Sequence, residues 1–231
     1  QGQIVDATND INMSAVTNMT LAQVTSHNGQ VALLALGNLT VNQVESQGDQ
    51  QLNSGLNTTL NQLTSHAGNI DVNAARGTLT VTDNMLAEDG HVHANAGGSI
   101  LVTHAITAGG GDILLDAKGN IQFETLDATD AIKSRSRGTT TGDLVKAGEA
   151  IDMLSSGDMD LQHVFSVNRE VTLRSLNNLL VDLLESPRHQ QLNAGGNMTI
   201  GTATSGATQT LQVGGNLVFN QLNAQDWITS A

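Results

Sequence analysis

Apolar and polar residues alternate along this chain in short runs, as in Leu39-Thr40-Val41 and Ile70-Asp71-Val72. Alternation with a period of two predicts half-buried strands, each presenting one face to a core. The runs also recur. "GNLTVNQVESQGD", from Gly37 to Asp49, is nearly rewritten as "GNLVFNQLNAQD" from Gly215 to Asp226. Between these copies, the apolar residue closing each triplet falls at Leu21, Val41, Leu60, Val81, Val102 and Phe123. Successive anchors lie about 19 to 21 residues apart, a spacing characteristic of stacked repeats.

A second strand-like motif sits between the anchors, as "GNIDV" at Gly68, "GHVHA" at Gly90, "GGDILL" at Gly110 and "GDMDL" at Gly157. Gly, Asn and Asp at fixed offsets supply the turns, since they tolerate the backbone conformations that tight turns require. From Phe123 to Leu161 the interval is twice the period, which predicts a drifted coil around Leu144 and Val145. Val181, Ile200 and Phe219 then resume the series. "LNNLLVDLLES", Leu176 to Ser186, reads either as a short helix ended by Pro187 or as two strands at the expected period.

Short strands at this period leave few architectures. A propeller blade needs about 40 residues or more, and a leucine-rich repeat needs a Leu-Asn signature that the chain lacks. The pattern predicts an all-β parallel β-helix over 1–231, a single solenoid of roughly eleven coils and roughly 50 Å length. The recurrent Asn38, Asn69, Asn120, Asn197 and Asn216 are expected to stack as ladders, each amide bonding the next.

Composition narrows function. The net charge is −13, with nine Lys and Arg in all, too few cations for a face that neutralises phosphates, so nucleic acid is excluded as a partner. No apolar run reaches the length of a membrane span. The absence of Cys removes disulfide scaffolds and thiolate metal sites. No signal-peptide pattern is visible at Gln1, which marks either a mature protein or an internal segment.

With its Gly-Asn-apolar-Thr-apolar repeat and degenerate copies over most of the 231 residues, the chain resembles the filamentous haemagglutinin-like exoproteins of two-partner secretion. The resemblance implies a right-handed β-helical fibre, secreted or displayed at a bacterial cell surface after passage through an outer-membrane transporter partner. It also gives the missing Cys a reason, since a chain threading a pore is obstructed by disulfides. The family's secretion domain carries Asn-Pro motifs, whereas the only Pro here is Pro187; an internal or distal segment is therefore expected. The implied role is structural and adhesive, with a cell-surface glycan or protein as partner. The family alternative is the stalk of a cytolysin or of a contact-dependent growth-inhibition toxin.

Candidate chemistry is sparse, and no cofactor is called for. His91 and His93 in "GHVHA" share a strand face, but a metal needs three or four convergent ligands, and the reading is of solvated side chains. His27 and His66 recur in "TSHNG" and "TSHAG" as surface positions. The tandem calcium-roll repeat is absent, "GGGDILLD" at 109–116 being a single near match. A β-helix polysaccharide lyase or hydrolase is the enzyme alternative, with pairs such as Asp158 and Asp160 as acids. Scarce aromatics and cations weigh against it, and no catalytic residue is assigned. The remaining anomaly is "DATDAIKSRSRGTTTGD", Asp127 to Asp143, which holds Lys133, Arg135 and Arg137, a third of all Lys and Arg. It reads as a loop insertion at 128–142 leaving the rod, and those three cations are the candidate ligand contacts.

Overall fold

The computed structural model describes residues 3–231, and they form an all-β, right-handed parallel β-solenoid of about a dozen rungs. One sheet has 15 strands and the other 12, and in both each strand pairs in parallel with the equivalent strand of the next rung. Met19 pairs with Leu39, Leu39 with Thr58 and Thr58 with Leu79, steps of 20, 19 and 21 residues.

Each rung turns through three faces, and the burial pattern shows why. In the strand Leu39–Ser46, Leu39, Val41, Val44 and Ser46 point inward. The inward alternation skips one residue between Val41 and Val44, so the strand bends there and both halves keep an apolar side toward the axis. A corner follows, then the third face, Gln50–Ser54, which belongs to the second sheet. Stacking these faces lines up columns of aliphatic side chains. One runs Val24, Val44, Leu63, Met85, Ile106, Leu126, Val145, Val164, Leu184 and Ala203, all buried. Each such Val or Leu contributes about 1.5–3 kcal/mol by leaving water.

Where two faces converge, the interior narrows and takes only small side chains. The second face ends on Ser46, Ser65, Ala87, Ala108, Ala128, Ala147 and Ser166 in successive rungs, all buried. The serines hydrogen-bond to turn carbonyls, as Ser65 Oγ to Gly48 O at 2.9 Å and Ser166 Oγ to Glu149 O at 2.7 Å. That removes the cost of burying a hydroxyl.

Asn ladders run up the corners, and their steps are mainly backbone N–H to amide oxygen, with one Asn-to-Asn amide bond among the described residues, Asn38 Nδ2 to Asn18 Oδ1 at 3.4 Å. The Oδ1 of Asn18, Asn38, Asn178 and Asn197 accepts the backbone N–H of Asn38, Asn57, Asn197 and Asn216, at 2.8, 3.1, 2.9 and 3.0 Å. Asn69 and Asn120 do the same for His91 and Thr139. A corner N–H points along the rod axis, so the side chain one rung away is its natural acceptor.

Three sequence readings are corrected. "GDMDL" does not belong to the second motif; Met159–Ser166 runs in the same sheet as the anchors. The missing anchor is Gly142, which pairs with Leu161 and takes the Phe123 ring into the space its own side chain would fill. Val145 is the regular second inward residue of that rung. Third, 128–142 is not a loop insertion. It contains the strand Ile132–Ser136, paired in register with Ile113–Ala117 on one side and Ile151–Ser155 on the other. Within Leu176–Ser186 the structure has one strand, Leu179–Ser186, and no helix.

Ser134 explains the misreading. It points inward between Leu115 and Met153, fully buried, and its hydroxyl finds no hydrogen-bond partner in the protein. An unpaired buried hydroxyl is destabilising. Ser134→Ala is therefore expected to raise stability by about 1 kcal/mol, read as a higher urea midpoint at unchanged slope.

Candidate binding surface

Lys133 and Arg135 project outward from the strand Ile132–Ser136, and Arg137 stands at the corner that follows. The strand's alternation places Ile132, Ser134 and Ser136 inside, so the intervening cations reach solvent from a rigid sheet. The three cations are carried by a strand and the corner after it, not by a loop leaving the rod.

The stacking adds two cations that lie far apart in sequence. Ala117 pairs with Ser136, so Lys118, the next residue, sits one rung from Arg137 at the same corner. Arg174 pairs with Leu154, which pairs with Arg135, giving an outward column Asp116, Arg135, Leu154 and Arg174. Beside it runs the column Leu114, Lys133 and Asp152. Five of the nine Lys and Arg thus occupy one face and its edge, across four rungs. Asp116 and Asp152 interleave with them. The Lys and Arg ion pairs among the described residues lie elsewhere, Lys146 with Asp127 at 3.0 Å and Arg169 with Glu149 at 2.8 Å. The signal for them is the period: one repeat back from Arg137 reaches Lys118, and two repeats on from Arg135 reach Arg174.

Histidines form a different pattern, cross-rung pairs with carboxylates. His27 Nε2 lies 2.8 Å from Asp6 Oδ1, and His163 Nε2 lies 3.3 Å from Glu185 Oε2. His66 stands between two carboxylates, Nδ1 at 3.0 Å from Glu88 and Nε2 at 3.2 Å from Glu45. Only the imidazolium donates to both. The hydrogen bonds from Glu88 first, then Glu45, hold the His66 pKa above its usual value against a smaller opposing desolvation. A raised folded-state pKa stabilises fully below the unfolded value, and the gain is lost as pH rises through the folded one. Melting temperature is expected to fall as pH is raised from about 6.5 to 8, and His66→Gln to flatten part of that slope.

His91 and His93, grouped by sequence, have separate partners. His91 Nδ1 accepts the Asp112 backbone N–H at 2.9 Å, so this nitrogen carries no proton and its 3.8 Å approach to the Asp112 carboxylate is no hydrogen bond. His93 Nδ1 is 3.5 Å from Asp71. Among the described residues no group of three or more His, Asp or Glu gathers to hold a metal ion. Asp158 Oδ1 is engaged by the backbone N–H and the side-chain amide of Asn178, both at 3.0 Å, as a step of the corner ladder. No helix of the described residues is long and apolar enough to cross a membrane. The chain matches no protein-family model, no curated protein and no solved structure, and what its own residues show is a right-handed β-solenoid scaffold.

Proposed function

We propose that this chain is a rod segment of a secreted or surface-displayed bacterial filamentous exoprotein, non-catalytic, extending a fibre and offering lateral contact surface. Its solenoid form and the Gly-Asn-apolar-Thr-apolar repeat support that reading. The observation that carries the adhesive part is the cationic face, Lys118, Lys133, Arg135, Arg137 and Arg174, held on a flat sheet in a chain of net charge −13. Cations without carboxylate partners keep their hydrogen-bond donors for a ligand. Successive rungs space them by about 4.8 Å along the axis, which suits a linear ligand bearing repeated anionic groups. An acidic cell-surface glycan has that chemistry.

The test is binding of the purified chain to cells and to a glycan panel, at low and at physiological salt. Binding to sulfated or uronate glycans that weakens with salt is expected, because exposed charge pairs are screened. Replacing Lys133, Arg135 and Arg137 together with Ala should weaken it by roughly tenfold or more, about 1.4 kcal/mol. Unchanged binding by a folded triple variant would remove the cationic face from the proposal. Sustained release of product from an acidic polysaccharide would overturn the non-catalytic reading.

A further inference from the structure

A concavity of about 570 Å³ opens on a different face, at the bend between the first and second faces of the central rungs. Elsewhere the bend is carried by one unbroken strand, as in Leu39–Ser46 and Met159–Ser166. In three consecutive rungs it is broken: Leu79–Val81 stops before Met85–Ala87, Ile100–Val102 before Ala105–Ala108, and Ile121–Gln122 before Thr125–Ala128. Two of them carry an extra residue there, since Val81 and Met85 pair with Leu60 and Leu63, and Val102 and Ile106 pair with Val81 and Met85. The rungs give up strand continuity where the rest of the rod keeps it. Departures of this kind, like bulges, concentrate at binding sites.

The lining has a definite chemistry. Thr80, Leu101, Gln122 and Thr141 pair in sequence as one outward column. At the rung spacing the column runs about 14 Å along the axis, the reach of a short oligosaccharide. Glu124 and Asp143 form one wall on adjacent rungs, with Asp143 N donating to Glu124 O at 3.1 Å. Asp143 Oδ1 accepts from Gln162 Nε2 at 2.8 Å, which fixes its orientation. Leu101 supplies an apolar floor, with Phe123 beneath. No Lys or Arg lines the concavity.

We propose that this concavity binds a non-acidic oligosaccharide laid along the rod. Sugars present hydroxyls on their edges and C–H groups on their faces. Two carboxylates, the hydroxyls of Thr80, Thr103 and Thr141 and a glutamine amide match the first, and the leucine floor matches the second. The carboxylate wall repels uronate and sulfate chains, so this groove and the cationic face select opposite glycan classes. The groove proposal stands independently of the cationic one.

The experiment titrates the labelled full chain by NMR with neutral β-linked trimers of glucose, galactose, mannose and N-acetylglucosamine, and with a uronate trimer. At least one neutral trimer should shift Thr80, Leu101, Gln122 and Thr141 saturably, with no such shifts from the uronate. Glu124→Ala with Asp143→Ala, and separately the groove-filling Leu101→Trp, should each weaken that binding at least fivefold. The Lys133, Arg135 and Arg137 alanine variant should leave it unchanged. Melting curves establish that each variant is folded. The proposal is overturned by silence from all four neutral trimers, by shifts from the uronate alone, or by folded groove variants that bind as the parent does.

Discussion

Gly142→Leu is expected to lower stability by about 3 kcal/mol, toward the upper end of overpacking costs, and Phe123→Leu to restore most of that loss. The anchors of this column are aliphatic from Leu21 to Val102 and again from Leu161 to Ile200. Here the column reads Phe123 then Gly142, one side chain too large followed by none. A Cβ placed on Gly142 would fall on the Phe123 ring, at Cε2 and Cζ. Both positions are buried, so an added side chain and the ring compete for one volume. Phe123→Leu alone leaves unfilled volume beside Gly142 and should cost about 1–3 kcal/mol. The double variant writes Leu-Leu into the gap and returns the column to its regular pattern. Denaturant unfolding of all four proteins measures the coupling, expected at about 2 kcal/mol or more for residues in direct contact. A double variant as unstable as Gly142→Leu alone would show that the ring does not occupy the glycine's place.

This pair also shows where the sequence could and could not be read. The period was legible because inward aliphatics recur; the parallel pairing followed, since successive coils of a solenoid stack in one direction. Phe123 and Gly142 share one volume between two rungs, so a pattern that scores each residue separately finds an anchor at one and a gap at the other. The segment 128–142 failed for a related reason. Of the three inward residues Ile132, Ser134 and Ser136, only the first is apolar, so the strand looked polar throughout. Its cations drew attention to a real surface, yet Lys118 and Arg174 joined it only when the rungs were stacked. The central concavity left a trace in the sequence as well: the step from Val81 to Met85, "VTDNM", is one residue longer than that from Leu60 to Leu63. A single extra residue changes the bend while leaving the repeat recognisable, which is why the period hides it.

Val164→Asp is expected to break the rod locally at a cost above about 4 kcal/mol, while Leu222→Asp, in the same column, costs about 1 kcal/mol or less. Val164 is packed between Val145 and Leu184, all three fully buried. A carboxyl group there has no donor to meet it and displaces an aliphatic from the stack. Leu222 is only partly buried and pairs with Ala203 on one side, in a rung whose Phe219 and Ile228 are also exposed. In this chain of 231 residues an Asp at 222 is partly exposed to water and packs against Ala203. Because a rung touches only the rungs beside it, stability along a solenoid is close to a sum of nearest-neighbour terms. The Val164→Asp lesion should therefore stay near its origin. Limited proteolysis read by mass spectrometry is expected to cut first around the rungs of Val145 and Leu184, with the stretch from Met19 to Ala108 still protected. Urea unfolding should separate into two transitions when followed by probes placed in the two halves. Simultaneous loss of protection along the whole chain would mean that the rod folds as one cooperative unit, and equal losses from the two substitutions would mean that the column is not a continuous stack.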